Sequence, residues 1–244
     1  MRRFSLLVTV SILAGCASAP APAATVAHAR PRTEAAAHPP AAQDAAAPPA
    51  RMAFTGLTGT LTSREAHAAL DPRTRAFVAC FQEHASDVRG LGGDVTLHIV
   101  VNADGSVRTA YPSDSTIGHR GVERCLTDVA RATRFPTPRG GGEAALSWPL
   151  SMDPPDGVRH PETWDPSRVA GVLARRASEL RAQCGEGTRH VRVTAYTNGG
   201  RVVSVGAASG DEAGHEALEC VSARVRAWAM PPSRRLAKVT FDLG

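Results

Sequence analysis

The sequence predicts an α+β fold in which one folding unit is used twice. The stretch 104–136 recurs without a gap after a shift of 95 residues, so that Gly105 corresponds to Gly200 and Cys125 to Cys220. Within each copy, period-two alternation of apolar residues is followed by apolar residues at helical spacing. Each copy is therefore expected to run helix, β-hairpin, helix, strand.

The first fifteen residues have the pattern of an export signal. Two arginines precede an apolar stretch, 4–14, that is too short to span a bilayer. The stretch ends in Leu13-Ala14-Gly15-Cys16, which resembles the lipobox of bacterial lipoproteins, where the cysteine is acylated and cleavage falls before it. We therefore expect a signal peptide over 1–15 and lipidation of Cys16. An ordinary secretory signal that happens to contain a cysteine is the alternative.

Residues 16–51 are rich in alanine and proline and have no periodic apolar face, which is typical of a tether. Ala17 is not the aspartate that retains some lipoproteins in the inner membrane. We therefore expect a lipid-anchored envelope protein in the outer membrane, facing the periplasm, of a Gram-negative bacterium. The net charge is +5, and the arginines are scattered among acidic residues, which predicts a solvated mixed surface and no nucleic-acid partner.

Local patterns predict the elements of the first folded region, residues 52–153. The stretch 52–61 resembles a short, glycine-interrupted strand, and Thr62 and Ser63 offer an N-cap for a helical region that Pro72 should kink or divide. The remaining predicted elements are strands over 95–101 and 106–111 joined by a turn at Asp104-Gly105, a helix over 122–133 that ends before Phe135-Pro136, and a strand over 144–150.

The second region, residues 154–244, follows a Pro- and Gly-rich boundary and repeats this order. The predicted elements are a helix over 169–182, strands over 189–195 and 202–205, a helix over 216–229 that ends before Pro231, and a strand over 237–243. The turn Asn198-Gly199 matches Asp104-Gly105 at a shift of 94 residues, whereas the residues after the turn match at 95. We therefore expect one additional residue in the second copy, placed at Gly200 as a bulge or a longer turn.

The four cysteines other than Cys16 lie at the same places in both copies, at the end of the first helix and the start of the second. An exported protein can form disulfide bonds, and four cysteines allow three pairings. The repeat favours Cys80–Cys125 and Cys184–Cys220, each within its own copy. Four free thiols or a metal site are the alternatives, and the absence of a Cys-x-x-Cys motif disfavours the metal site.

The sequence carries no recognised motif for catalysis or for a cofactor. Nucleophile, phosphate-loop and dinucleotide signatures are absent. No two histidines have the i, i+4 spacing of a helical metal site, and each, including His98 on a predicted outward strand face, is expected to be a solvated surface residue. We therefore expect no catalytic residues, no metal and no cofactor.

A family resemblance rests on residues already described. They are the alternation from Gly93 to Val101, the turn Asp104-Gly105-Ser106-Val107, the cysteines Cys80 and Cys125, and the ending Phe135-Pro136-Thr137-Pro138. These resemble the AgmX/PglI C-terminal domain, one of the TonB-like C-terminal domains. The second region resembles it by repetition and is degenerate, because Trp228-Ala229-Met230-Pro231 stands where Trp-x-Phe-Pro is usual. The resemblance implies two tandem units, each a three-stranded antiparallel sheet with helices on one face, without catalytic residues.

The resemblance also implies an envelope role, with some relatives in gliding-motility machinery. TonB recruits a strand from its partner onto a sheet edge, so strand addition is an expected binding mode. Energy coupling is not expected, because TonB has an inner-membrane helix where a lipid is expected in this chain. We expect a non-enzymatic lipoprotein that binds or scaffolds other envelope proteins. A structural or peptidoglycan-associated component, and a hydrolase with an unrecognised site, are the alternatives.

Overall fold

The computed structural model describes residues 58–154 and 156–244, which belong to one compact unit. Their α+β fold agrees with the predicted class. The helices are α1 (Ser63–Leu70), α2 (Thr74–His84), α3 (Arg120–Arg131), α4 (Ala170–Cys184) and α5 (Glu212–Arg226). The strands are β1 (Gly93–Val101), β2 (Val107–Ser115), β3 (Ala144–Met152), β4 (Glu162–Trp164), β5 (Val191–Asn198), β6 (Arg201–Ser209) and β7 (Ala237–Asp242).

The first half, residues 58–154, contains an antiparallel sheet of order β2-β1-β3 and the helices α1 to α3. The alternate residues of β1 are buried and share a core with the helices, as the period-two pattern predicts. Thr62 and Glu65 form a capping box at the start of α1. A 3₁₀ turn containing Pro72 separates α1 from α2, so the predicted break is confirmed.

The second half, residues 156–244, contains a sheet of order β4-β7-β5-β6 with helices α4 and α5. Its three antiparallel strands β7-β5-β6 repeat the order β3-β1-β2, and the short β4 runs parallel to β7. The second half therefore begins with a short strand that the sequence did not predict there. In the first half, residues 52–57 of the strand predicted there lie outside the described residues, and Thr60 forms an isolated bridge with Arg139.

The additional residue expected in the second hairpin is not there. In the first hairpin, five residues (102–106) separate the paired residues Val101 and Val107. In the second, only four (198–201) separate the equivalent pair Thr197 and Val202, and Asn198 pairs with Arg201 among them. The second loop is therefore one residue shorter. Both hairpins have a register shift at the same place beside the loop, so the bulge is common to the two copies.

Gly200 is the counterpart of Gly105, and Gly199 is not. Gly105 and Gly200 both have φ of 82°. The carbonyl oxygen of Gly105 accepts a hydrogen bond from the backbone amide of Phe135, and that of Gly200 accepts one from the backbone amide of Met230. A β-carbon at either glycine would lie against the carbonyl of the same partner residue. The turn glycine is thus placed by the chain segment after the following helix, a contact that the dipeptide match Asp104-Gly105 with Asn198-Gly199 does not reveal.

Both predicted disulfide bonds are confirmed. Cys80 is bonded to Cys125 and Cys184 to Cys220, each with 5.6 Å between α-carbons. In each half the bond joins the helix before the hairpin to the helix after it. Each half is therefore closed by a bond within its own sequence, and the alternative of free thiols or a thiolate metal site is excluded for these four residues.

Strand β2 extends to Ser115, beyond the predicted end at Tyr111. Pro112 is tolerated there because β2 is an edge strand, and a register shift adjoins it. Among the described residues, no helix is both long and apolar enough to cross a membrane.

Removing either disulfide should destabilise the fold. The bonds close loops with sequence separations of 45 and 36 residues, so the unfolded chain regains comparable freedom in both cases. We expect the Cys80→Ala/Cys125→Ala and Cys184→Ala/Cys220→Ala proteins each to lose about 2 to 4 kcal/mol of unfolding free energy. Urea unfolding followed by circular dichroism measures this. An unchanged midpoint for either pair would show that the bond adds nothing to stability.

Candidate functional site

A buried carboxylate joins the two halves. Glu123 of α3 is fully buried, and its Oε1 accepts a hydrogen bond of 2.7 Å from the hydroxyl of Ser115. Its Oε2 accepts a hydrogen bond of 2.9 Å from the backbone amide of Ala207 on β6, and Nη1 of Arg120 lies 3.6 Å away. Burial raises the pKa of Glu123 to about 7, against the lowering effects of Arg120 and of the hydrogen bonds.

Two glycines allow the halves to approach closely. A β-carbon at Gly206 would collide with Glu123, and one at Gly118 would lie 2.8 Å from the ring of Tyr196. The hydroxyl of Ser204 donates to the carbonyl of Gly118 at 2.8 Å. The segment that leads from β2 into α3 therefore lies directly on β5 and β6 of the second sheet.

Tyr196 of β5 is completely buried and belongs to the apolar core of the first half. Its hydroxyl donates to the carbonyl of Gly92 at 3.3 Å, and Nζ of Lys238 donates to the same carbonyl at 2.7 Å. Burial raises the pKa of Tyr196 to about 12 and lowers the pKa of Lys238. The face of the second sheet opposite its own helices is thus covered by the first half.

His98 is not the solvated residue that the sequence predicts. Its ring lies 5.0 Å from that of Tyr111, which is stacked at 4.9 Å on His215 of α5. Burial lowers the pKa of His98 and of His215. These two histidines therefore belong to the contact between the halves.

His84, Asp87 and His119 form a cluster that histidine spacing did not reveal, because the two histidines belong to different segments. Oδ2 of Asp87 lies 2.9 Å from Nδ1 of His84 and 3.2 Å from Nε2 of His119. Nδ1 of His119 accepts the backbone N–H of Val122 and caps α3, so the neutral ring carries its proton on Nε2 and donates it to Asp87. A metal ion at Nε2 would require His119 to give up this cap, so the arrangement favours hydrogen bonding.

Both outer strands of the first sheet carry a proline. The carbonyl of Asp94 accepts a hydrogen bond from the amide of Thr116, so the backbone N–H and C=O of Asp94 point towards β2. Because this direction alternates along a strand, the backbone groups of Thr96, two residues later, point towards β2 as well. Thr96 therefore meets Pro149 of β3 in a pair without hydrogen bonds, which places the nitrogen of Pro149 on the outer edge. The same alternation places the nitrogen of Pro112 on the outer edge of β2. An added strand would find no N–H at either point.

In the second sheet, the outer sides of β7 and β6 are occupied in other ways. The three residues of β4 pair with β7 and occupy its outer edge. On β6, the amide of Ala207 points away from β5 and is already bonded to Glu123. Strand addition to β7 would have to displace β4, and strand addition to β6 at Ala207 would have to displace a buried carboxylate.

A groove of about 1170 Å³ lies between the end of α2, the segment around β4 and the connection before β7. We call it the arginine groove, because five arginines line it: Arg89, Arg159, Arg168, Arg234 and Arg235. All five are exposed, whereas Val88 and Trp164, which also line the groove, are 3% exposed. The groove thus combines a cationic outer lining with an apolar base. Nothing in the sequence signalled it, since its arginines come from separate segments.

The residues predicted to have structural roles lie as follows. Asp104 accepts hydrogen bonds from the amide and hydroxyl of Ser106, and Phe135 is buried against the turn. Cys16 lies outside the described residues. No family model, curated protein or solved structure matches this chain.

The raised pKa of Glu123 makes stability depend on pH. The folded protein holds this proton up to about pH 7 and the unfolded chain only to about 4.5, so the contribution of Glu123 is fully present below pH 4.5 and is lost as the pH rises through 7. The Glu123→Gln protein keeps a neutral side chain throughout. We compare the unfolding free energy of the Glu123→Gln protein with that of the wild type. Between pH 4.5 and 7, we expect the difference, variant minus wild type, to rise by at most about 1.4 kcal/mol per pH unit.

Urea unfolding at half-unit pH intervals measures this difference. Carboxyl groups with lowered pKa values, such as those of Asp87 and Asp104, change stability in the opposite direction in both proteins and cancel in the comparison. A difference that stays constant between pH 4.5 and 7 would show that Glu123 ionises normally.

Proposed function

We propose that this chain is a lipid-anchored, non-enzymatic protein of the cell envelope whose folded part binds another envelope protein. The observation that carries the proposal is the presence of one disulfide bond in each half, because such bonds persist in oxidising compartments. The export signal and the lipobox-like sequence ending at Cys16 indicate the same address. The outer membrane, facing the periplasm, is the location we propose.

We also propose that the two halves derive from tandem TonB-like units of the AgmX/PglI type. The shared strand orders β2-β1-β3 and β6-β5-β7 support this, as do the equivalent disulfides and turn glycines. The buried contacts between the halves favour one rigid binding body over two independent modules. A rigid body loses little conformational entropy on binding, which suits a scaffold.

Strand addition to β3 is a second candidate mode of binding. Among residues 58–154 and 156–244, β3 pairs with β1 alone, and the alternation that turns Pro149 outward also turns the amides of Ala145 and Ser147 outward. A partner strand could therefore pair with the first part of β3. A Ser147→Pro protein removes one outward N–H without breaking the ladder to β1 and tests this mode.

Lipidation at Cys16 predicts incorporation of fatty acid. Cells expressing the full chain and fed labelled palmitate should yield a labelled protein, and the Cys16→Ser protein should carry no label, because the thiol that forms the thioether is gone. The Ala17→Ser protein is the matched control and should be labelled normally. Label in the Cys16→Ser protein would contradict the proposed anchor.

A photocrosslinking experiment tests protein binding. Amine-reactive reagents are unsuitable, because Lys238 is the only lysine and its Nζ is bonded to Gly92. A photoreactive phenylalanine analogue should instead replace exposed Pro232 at the arginine groove, Pro149 at the β3 edge, or Val78, which is 40% exposed on α2. We expect one discrete protein adduct from a groove or edge position in membranes, and none from Val78.

No adduct at any position, together with co-sedimentation with purified sacculi, would contradict the binding proposal and favour the peptidoglycan-associated role.

A further inference from the structure

The arginine groove has an excess of positive charge that the described residues do not balance. It contains five arginines and two carboxylates, those of Asp87 and Glu162. Glu162 pairs with Arg168 at 3.4 Å, and Asp87 is bonded to His84 and His119. Within the described residues, no carboxylate lies within 4 Å of the guanidinium groups of the other four arginines. Guanidinium groups bind carboxylates and phosphates in bidentate geometry, so the groove selects an anionic ligand.

The base of the groove is apolar and has unused polar atoms. Val88 and Trp164 are buried, and Val203 and Leu236 are partly buried beside them. Nε1 of Trp164 and Oγ of Ser233, both in residues that line the groove, are buried without a hydrogen-bond partner in the described part of the chain. The base of the groove thus offers apolar surface beneath the arginines.

We propose that the arginine groove binds an extended acidic segment of the partner protein, with its carboxylates on the arginines and an apolar side chain against Val88 and Leu236. The proposal rests on the protein-binding function proposed above and names the surface and the chemistry of the partner. The volume of about 1170 Å³ exceeds the usual range of small-molecule pockets, about 300–1,000 Å³, and suits a polypeptide segment.

The geometry disfavours the other anionic ligands. A planar lipid surface does not enter a concave groove. A sugar ring would stack on an aromatic face, but Cζ of Arg168 lies 4.2 Å over the ring of Trp164 and covers one face. The chain's own N-terminal stretch is a poor occupant, because residues 17–57 contain the acids Glu34 and Asp44 but the arginines Arg30, Arg32 and Arg51.

The test uses the full mature chain in non-ionic detergent and a fluorescent twelve-residue peptide of alternating Glu and Leu. We expect saturable binding by fluorescence anisotropy that weakens as salt increases. The Arg234→Glu/Arg235→Glu protein should lose about tenfold or more in affinity, because it reverses two charges of the lining. The Arg64→Glu/Arg75→Glu protein changes the same charge on the exposed surfaces of α1 and α2 and should stay within about twofold.

Equal weakening in both double variants, or equal binding of a Gln-Leu peptide, would overturn the proposal. So would binding of soluble dihexanoyl phosphatidylglycerol but not of the peptide, because the ligand would then be a lipid headgroup.

Crosslinking separates failure of this inference from failure of the proposed function. Suppose that the analogue at position 149 forms an adduct that persists in the Arg234→Glu/Arg235→Glu protein, and that the analogue at position 232 forms none. This result would support the proposed protein binding and contradict the proposed role of the arginine groove. Circular dichroism of each variant establishes that it is folded.

Discussion

The buried carboxylate of Glu123 is the interaction on which the arrangement of the two halves depends. A carboxyl group without solvent is tolerated only when its oxygens are satisfied, and here the partners come from both halves, Ser115 from the first and Ala207 from the second. The amide of Ala207 lies on the outer edge of β6. The side chain of Glu123 therefore occupies a position at the edge of that sheet and also joins the sheet to α3. The glycine at 206 is needed because any side chain there would occupy the space of the carboxylate.

The contact between the halves also explains why each sheet can be small. Helices α4 and α5 cover one face of the second sheet, and the opposite face would be open in isolation. The first half covers it, and Tyr196 extends from β5 into the first core. Each disulfide links two helices within one half, whereas the buried polar contacts link one half to the other. The disulfides therefore stabilise the individual halves, and the polar contacts stabilise their arrangement. A small core benefits from both.

The treatment of sheet edges bears directly on binding. Pro112, Pro149, β4 and Glu123 each remove or occupy a place where a foreign strand could pair. Proteins protect edges in this way against unwanted association. The arginine groove, by contrast, has exposed guanidinium groups over a buried apolar base. A partner recognised there would be selected by charge and side-chain shape, whereas strand addition selects mainly through the backbone.

The sequence by itself predicted the order helix, hairpin, helix, strand in each half and the break at Pro72, and it favoured the observed pairing of the four cysteines, but it did not predict β4. These follow from local periodicity and from the repeat, both of which are visible along the chain. Only the tertiary structure decided between the two matches for Gly105 that the sequence offers, Gly199 and Gly200, because Gly105 and Gly200 each accept a hydrogen bond from a residue thirty positions later. The same holds for the burial of Glu123, the partial burial of His98, the cluster of His84 with His119, and the convergence of five arginines. Each depends on residues far apart in the chain, and local pattern carries no information about such approaches.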